Sequence, residues 1–385
     1  MAQLTCTIDR IDVIPLCPIS WGNGDTKDVA MIQLTASNGL MAFGSSYTSA
    51  ERVRACLEPY KGMLQGPFLL DQMLSHLKSK LDSGASKDEA CTYSGLDIAL
   101  WDLKGKMLER PVSQLLGGRV RDKIQAYASL EIPLPRSIPD REFEEKIEGA
   151  LDLGFKAVKL YLPRFGYRDA SRDLAGWQAY EESLIAYARK IVGPKIKLML
   201  DAYGSAPDWP NGLEWALEAA ELLGRYQFLW LEEPLPDTAL EDFRSLSQQS
   251  PILITGCETF VGAAQFMKWN DAKAVSVVQP DSTLAGGVTT LAAIRDGVKP
   301  RGNIIPHGWN TAIGMAADLQ VMSTVTNTKE LQMVEYMPTA HLTDPIVKPF
   351  QLDESGYMAI PDGPGLGIDV DLDAIRNKTG IFKIG

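Results

Sequence analysis

From about Ile124 to Tyr336 the chain repeats one unit, in which a short apolar run is followed by a polar break and a helical stretch. The runs are Ile124–Leu130, Ala157–Leu162, Ile196–Ala202, Phe228–Glu232, Ile252–Glu258, Ala274–Asp281, Asn303–His307 and Leu331–Tyr336. Between them lie amphipathic stretches such as Asp140–Leu153, Glu181–Ile191, Leu213–Leu223 and Asp237–Ser247. Leu213, Ala216, Leu217 and Ala220 show the i, i+3, i+4, i+7 spacing of a helix packed on one side. Such an alternation, with no glycine-rich dinucleotide fingerprint after the first strand, predicts a closed (β/α) barrel; an open doubly wound sheet is the alternative.

The barrel region, taken as residues 124–348, is preceded by residues 1–123 of different character. Thr5–Val13 and Val29–Ala36 alternate as strands do, Asn38-Gly39 suits a hairpin turn, and residues 50–110 read as helical. An α+β capping domain is therefore expected, with residues 349–385 packing back on it as a turn-rich tail. The formal net charge of −11 argues against a nucleic-acid partner, and no polybasic run suits an anionic membrane. No stretch reaches the roughly 18 apolar residues that span a bilayer. Five scattered cysteines with no C-x-x-C pair fit reduced thiols and a cytoplasmic setting. The expected partners are a small-molecule carboxylate substrate and further copies of the chain in a homo-oligomer.

Catalytic groups on such barrels sit at the C-terminal ends of the strands. Strand two ends with Lys159 and Tyr161, strand three with Asp201, strand four with Glu232 and strand five with Glu258. Strand six ends with Asp281, strand seven with His307 and strand eight with Glu335. One such residue would carry no weight, but seven consecutive strands with an ionisable end do. Asp201, Glu232 and Glu258 would repel one another unless a hard cation joined them, and Mg²⁺ is suited to carboxylate oxygens. Glu233 is turned away by alternation and reads as structural. Lys159 and Tyr161 share a face, so both are expected at the barrel mouth. Asp281 is placed to orient His307 and raise its basicity. His76, His341 and Cys257 have no comparable context.

Gly95-Leu96-Asp97-Ile98-Ala99-Leu100-Trp101-Asp102, Gly105-Lys106 and Leu115-Leu116-Gly117-Gly118 form one set of motifs. Val158-Lys159, Leu200-Asp201-Ala202, Trp230-Leu231-Glu232-Glu233-Pro234, Glu258, Gln279-Pro280-Asp281 with Gly286-Gly287, and His307 form the second. In this order the chain resembles the mandelate racemase subgroup of the enolase superfamily over nearly its full length. The resemblance implies a (β/α)7β barrel under an α+β cap, and Mg²⁺ held by Asp201, Glu232 and Glu258. It further implies a Lys or His base that takes the proton next to a substrate carboxylate. Similar members are mostly acid-sugar dehydratases, with racemases, epimerases and lactone-forming enzymes a minority. Two positions depart from the pattern. Tyr161 replaces the second lysine of Lys-x-Lys, and Tyr203 replaces the asparagine of Asp-x-Asn. The expected reaction is dehydration of a polyhydroxy acid to a 2-keto-3-deoxy acid, with Lys159, Tyr161, His307 and Asp281 catalytic. An epimerase or cycloisomerase on the same scaffold, or a non-catalytic metal-binding scaffold, are the alternatives. Trp21 and Tyr47, in two loops of the cap, together with Tyr203 and Glu335, are expected to contact substrate. Three histidines with no H-x-H pair count against a zinc hydrolase.

Overall fold

The structure is a computed structural model that describes residues 4–16, 19–20, 26–298, 302–327, 329–337, 348–378 and 382–384. Its principal sheet runs through eight parallel strands. In chain order they are Lys123–Glu131, Ala157–Tyr161, Lys197–Asp201, Trp230–Glu232, Leu253–Gly256, Val277–Val278, Asn303–Ile304 and Met333–Tyr336. The eighth pairs in parallel with the first, so the ladder wraps round, with helices such as Arg141–Asp152, Leu174–Val192 and Leu213–Arg225 outside it. Ladder pairing is open at one seam, between the seventh and eighth strands. There the Asn327 side chain stands in for a strand. Its Oδ1 accepts from Ile304 N–H at 3.1 Å, and its Nδ2 donates to the carbonyls of Ile304 and Leu331. An amide carries the same donor and acceptor as a peptide unit, so both backbone groups of Ile304 are satisfied.

Several strands are shorter than their apolar runs. The fifth stops at Gly256, the sixth at Val278 and the seventh at Ile304. Glu258, Asp281 and His307 thus stand beyond the ladder, on the chain that turns out over the rim. Cys257 has a φ of +85° at that turn, and Asp281 and His307 meet in an isolated parallel bridge. Periodicity cannot register such a turn, because the residues leading into it remain apolar.

Before the barrel, Ile8–Pro15, Ala30–Ala36 and Met41–Ser46 form an antiparallel sheet, joined on its outer edge by Phe382–Ile384 from the tail. Gly44 to Ser46, expected in a loop, are strand. Gly44 lies directly on the helix Lys87–Met107, where a Cβ would come within 1.8 Å of the Gly95 carbonyl oxygen. That helix starts at a reciprocal capping box of Ser86 and Glu89 and is buried along most of its length. Asp102 on it accepts backbone N–H bonds from Phe43 and from Leu366, tying cap strand and tail to one carboxylate. No helix among the described residues is long and apolar enough to cross a membrane.

Asp97 on the same helix joins the cap to the barrel. Its Oδ1 accepts from Thr289 N–H at 3.0 Å and its Oδ2 from the Thr289 hydroxyl, at the start of the barrel helix Gly287–Val298. Trp101 Nε1 donates to the same hydroxyl at 2.8 Å. Burial lifts the Asp97 carboxyl to about 7, although the Thr289 hydrogen bonds pull the other way. A carboxyl raised on folding binds a proton more tightly in the native state. Its stabilising contribution is complete below about pH 4 and is lost as pH rises through about 7. Asp97→Asn, which resembles the protonated acid, is predicted to be more stable than wild type at pH 8 by roughly 1–3 kcal/mol, with less difference at pH 5. Urea unfolding at both pH values reads this; a wild type more stable at pH 8 contradicts it.

Candidate active site

The barrel interior is layered. Its lower layer is apolar, with Tyr127, Ala157, Met199, Trp230, Val277, Ile305 and Met333 packed together and Tyr127 edge-on to Trp230 at 5.4 Å. Above it the strand register sets Glu131, Tyr161, Asp201 and Glu232 side by side on four consecutive strands. The charged groups therefore rest on a dry floor, where electrostatic interactions are strong.

Lys159 points inward one step below Tyr161 and is 1% exposed. Its Nζ lies 2.5 Å from Glu232 Oε1, 2.8 Å from Glu335 Oε1 and 3.4 Å from Asp201 Oδ2. Burial alone would strip the proton from this amine. Glu232, Glu335 and Asp201 outweigh burial and hold the amine well above the usual lysine range. Lys159 is a locked cation, and a base at this position would have to give up its proton against three carboxylates. Glu335 is fully buried, and its Oε2 also accepts from Gly308 N–H at 2.7 Å. It therefore ties Lys159 to the chain that carries His307.

Asp201, Glu232 and Glu258 each offer a carboxylate oxygen within 4.8 Å of the others, a grouping able to hold a metal ion. Asp201 Oδ1 is fixed by Tyr203 N–H at 2.9 Å, and Glu232 Oε2 by Trp230 Nε1 at 3.0 Å and Gln279 Nε2 at 2.8 Å. Burial raises both Asp201 and Glu232 above the usual carboxylate range, Glu232 to about 7. Acids held together at such a cost fit a hard divalent cation, whose charge restores the ionised form. Glu233, by contrast, faces outward to Ser205, whose hydroxyl donates to its Oε2 at 2.5 Å.

His307 is oriented through Nδ1, 3.0 Å from Asp281 Oδ2, while Asp281 Oδ1 accepts from the N–H and hydroxyl of Thr283. Its Nε2 lies 3.2 Å from Glu258 Oε2. Burial opposes charge on the ring, but Glu258 and Asp281 outweigh it and raise the imidazole to about 10. The ring is thereby protonated at neutral pH. A cation on Glu258 would withdraw one of those two carboxylates and bring the imidazole back toward its ordinary range.

Tyr161 is packed edge-on against Tyr203 at 5.6 Å and Trp309 at 6.0 Å. Burial pushes its phenol up, and Asp201 and Glu131 add to the effect, so the structure holds Tyr161 as a neutral hydroxyl. Tyr47 is buried in the bend just after the cap strand Met41–Ser46, under the Lys27 ammonium, which lies 2.6 Å from the ring centroid. Trp21 is outside the described residues. Two groups at the mouth were absent from the sequence reading. Glu131 is the last residue of the first strand and registers with Tyr161, a signal available from extending that run by one residue. Lys27 comes from the cap and is in the field of Asp281 and Glu258; no local pattern marks it. The backbone is also unusual here. Arg164, Tyr203, Glu233 and Cys257, none a glycine, have φ of +67°, +54°, +45° and +85° on the loops after four successive strands. Residues in that region cost of order 1–3 kcal/mol each and cluster at functional sites.

Residues 142–374 match the family described as enolase C-terminal domain-like, and residues 3–117 match the mandelate racemase / muconate lactonizing enzyme N-terminal domain. The chain is 29% identical to D-galactarolactone cycloisomerase of Agrobacterium fabrum, over 91% of both chains. It is 28% identical to D-xylonate dehydratase of Haloferax volcanii, over 90% of this chain and 84% of the other. Among solved structures, 3,6-anhydro-D-galactonate cycloisomerase from Zobellia galactanivorans superimposes with a TM-score of 0.78 at 26% identity, covering 97% of this chain and 99% of the other. Mg²⁺ is predicted to raise the thermal unfolding midpoint, by a stabilisation of about 2.7 kcal/mol at a hundredfold excess over Kd. The gain should vanish in an Asp201→Asn, Glu258→Gln double variant. Equal shifts in the two proteins would place the cation elsewhere.

Proposed function

Since the chain belongs to the mandelate racemase / muconate lactonizing enzyme family of enolase-like proteins, we propose that it is a Mg²⁺-dependent lyase acting on a hydroxylated carboxylic acid. It would remove the proton α to the carboxylate and expel the β-oxygen as water. The observation that carries this reading is the pairing of an acid triad with an Asp281-oriented His307 above a locked Lys159. Asp201, Glu232 and Glu258 would hold the Mg²⁺, which when bound supplies Lewis-acid charge toward the substrate carboxylate. Lys159 draws Asp201 and Glu232 toward the ionised form against the effect of burial, and holds them in place. His307, whose Nε2 faces the triad, would hold or move the proton, and its preference for the charged form suits delivery to a departing oxygen. Tyr161, a neutral phenol on the other side of Asp201 in register, would orient the substrate by donating its hydroxyl. With Lys159 committed to carboxylates and Tyr161 protonated, His307 is also the group best able to accept the α-proton once a cation is seated on Glu258.

A second reading has specific support, because relatives named as cycloisomerases stand beside a dehydratase. If the β-oxygen belongs to a ring, its expulsion opens the ring and no water is lost. Mass spectrometry of the product separates the two outcomes, since dehydration lowers the mass by one water and ring opening leaves it unchanged. Incubation with acid sugars and their lactones in the presence of Mg²⁺ is predicted to give an α-keto acid, and excess chelator to stop it. His307→Asn is predicted to lower turnover by about 10²–10⁴-fold and to stop exchange of the α-proton with solvent deuterium. Tyr161→Phe should retain exchange and mainly raise KM. Exchange lost in Tyr161→Phe and retained in His307→Asn would move the base to the second strand.

A further inference from the structure

Beside the acid triad a cavity of about 620 Å³ opens from the second and third strands, a size suited to a small ligand. Tyr161 and Ala202 line it, and since Tyr161 registers with Asp201 on the neighbouring strand, the cavity adjoins the strand ends that carry the triad. Its walls carry three tyrosines, Tyr161, Tyr167 and Tyr203, together with Glu131, Asp208 and Arg164. The register row offers a path away from the triad, because Glu232, Asp201, Tyr161 and Glu131 succeed one another across four strands. A molecule with its carboxylate at the triad that extends along this row lays its remaining carbons over Tyr161, toward Glu131.

The chemistry of that path is lopsided. Glu131 is half-buried at the inner end, close enough for its charge to act on the Tyr161 phenol. At the outer end, Asp208 accepts the Tyr167 hydroxyl at 3.0 Å, and the exposed Arg164 guanidinium lies over the Tyr167 ring at 5.1 Å. Among the described lining residues, the first charge along that row beyond Tyr161 is therefore a carboxylate, and Arg164, the arginine among them, is exposed and stacked on Tyr167. Carboxylates accept hydrogen bonds from hydroxyl groups and repel another carboxylate, while tyrosine faces pack against C–H groups. We propose that this cavity binds the neutral, hydroxylated tail of a mono-acid, with Glu131 accepting tail hydroxyls and excluding a second carboxylate. The substrate class would then be aldonic, not aldaric. This inference rests on the acid-sugar reading above.

The test pairs substrates of equal length, a pentonate and a hexonate against the corresponding aldarates, with Mg²⁺ present. Turnover and α-proton exchange in D₂O are both read. Wild type is expected to favour the aldonate by at least about tenfold in kcat/KM, mostly through KM. Glu131→Gln should shrink that ratio severalfold by admitting the aldarate, while the Mg²⁺-induced thermal shift stays as in wild type. Asp208→Asn should move the ratio the same way, by less. A wild type that prefers aldarates, or a ratio unchanged in both variants, overturns the assignment of the tail site while leaving the acid-sugar reading intact. Exchange with neither class, by a protein that still binds Mg²⁺, overturns that reading itself.

Discussion

The mouth of the barrel is a problem in charge. Asp201, Glu232, Glu233, Asp281 and Glu335 are all buried, and Glu258 is close by. Among the described residues, the cations in direct ion-pair contact with this group are Lys159 and His307. Uncompensated buried carboxylates take up protons or destabilise the fold. Lys159 answers part of the deficit by bonding Glu232 and Glu335 and approaching Asp201. Glu233 answers another part by being held well above the usual carboxylate range through burial, with Glu258 and Asp201 adding to it. The remaining deficit lies at the triad, where a divalent cation has the charge and the ligand preference to meet it. The fitness of the triad for a metal thus arises from the same burial that gathers its carboxylates.

The architecture meets this problem by separating rigidity from charge. The apolar layer around Tyr127 and Trp230 fixes the strands, and Trp230 reaches up to fix Glu232 as well. Above the floor, positive-φ residues turn the chain sharply after successive strands, immediately after Asp201-Ala202 and Glu232 and immediately before Glu258. Gly204 shows how tight these turns are, since a Cβ there would come within 2.4 Å of the Glu233 carbonyl oxygen. Across the seam, Asn327 supplies hydrogen bonds where strand pairing is absent, and Glu335 bonds the Gly308 amide. The seventh strand, which leads to His307, is thereby held from the side of the open ladder.

Much of this was legible in the residues. The strand–helix alternation gave the barrel, and reading the last polar residue of each run gave Asp201, Glu232, Glu258, Asp281 and His307, because period and ionisable ends are both local signals. The limits were also physical. Lys159 was expected at the mouth, where it would meet substrate; alternation correctly turned it inward but carries no depth, and it lies a layer lower among three acids. Tyr161 was expected among the catalytic groups, but its registered neighbours are the acids Asp201 and Glu131, which together with burial disfavour its phenolate. Pairing partners depend on register between strands far apart in the chain, which no single run reveals. Tyr47 lies in a bend as expected, but Gly44-Ser45-Ser46, which look like part of the same loop, are strand. Gly44 is there for close contact with the helix at Gly95, a reason that exists only in three dimensions.

The tail strand has a bearing on how the molecule comes into being. Phe382–Ile384 completes the edge of the capping sheet beside Ile11–Val13, and Leu366 satisfies Asp102 within the cap. A strand early in the sequence is thus finished by a segment about 370 residues further along it. Until then Ile8–Pro15 presents an unpaired edge rich in branched aliphatic residues, the kind of surface that pairs with the wrong chain. The two strands are separated in sequence by the whole barrel, so pairing them closes a very long loop, whose entropy cost grows with the length between them. Severing the tail would cost far more than a surface strand suggests, because it leaves Asp102 a buried carboxylate with one of its backbone partners removed.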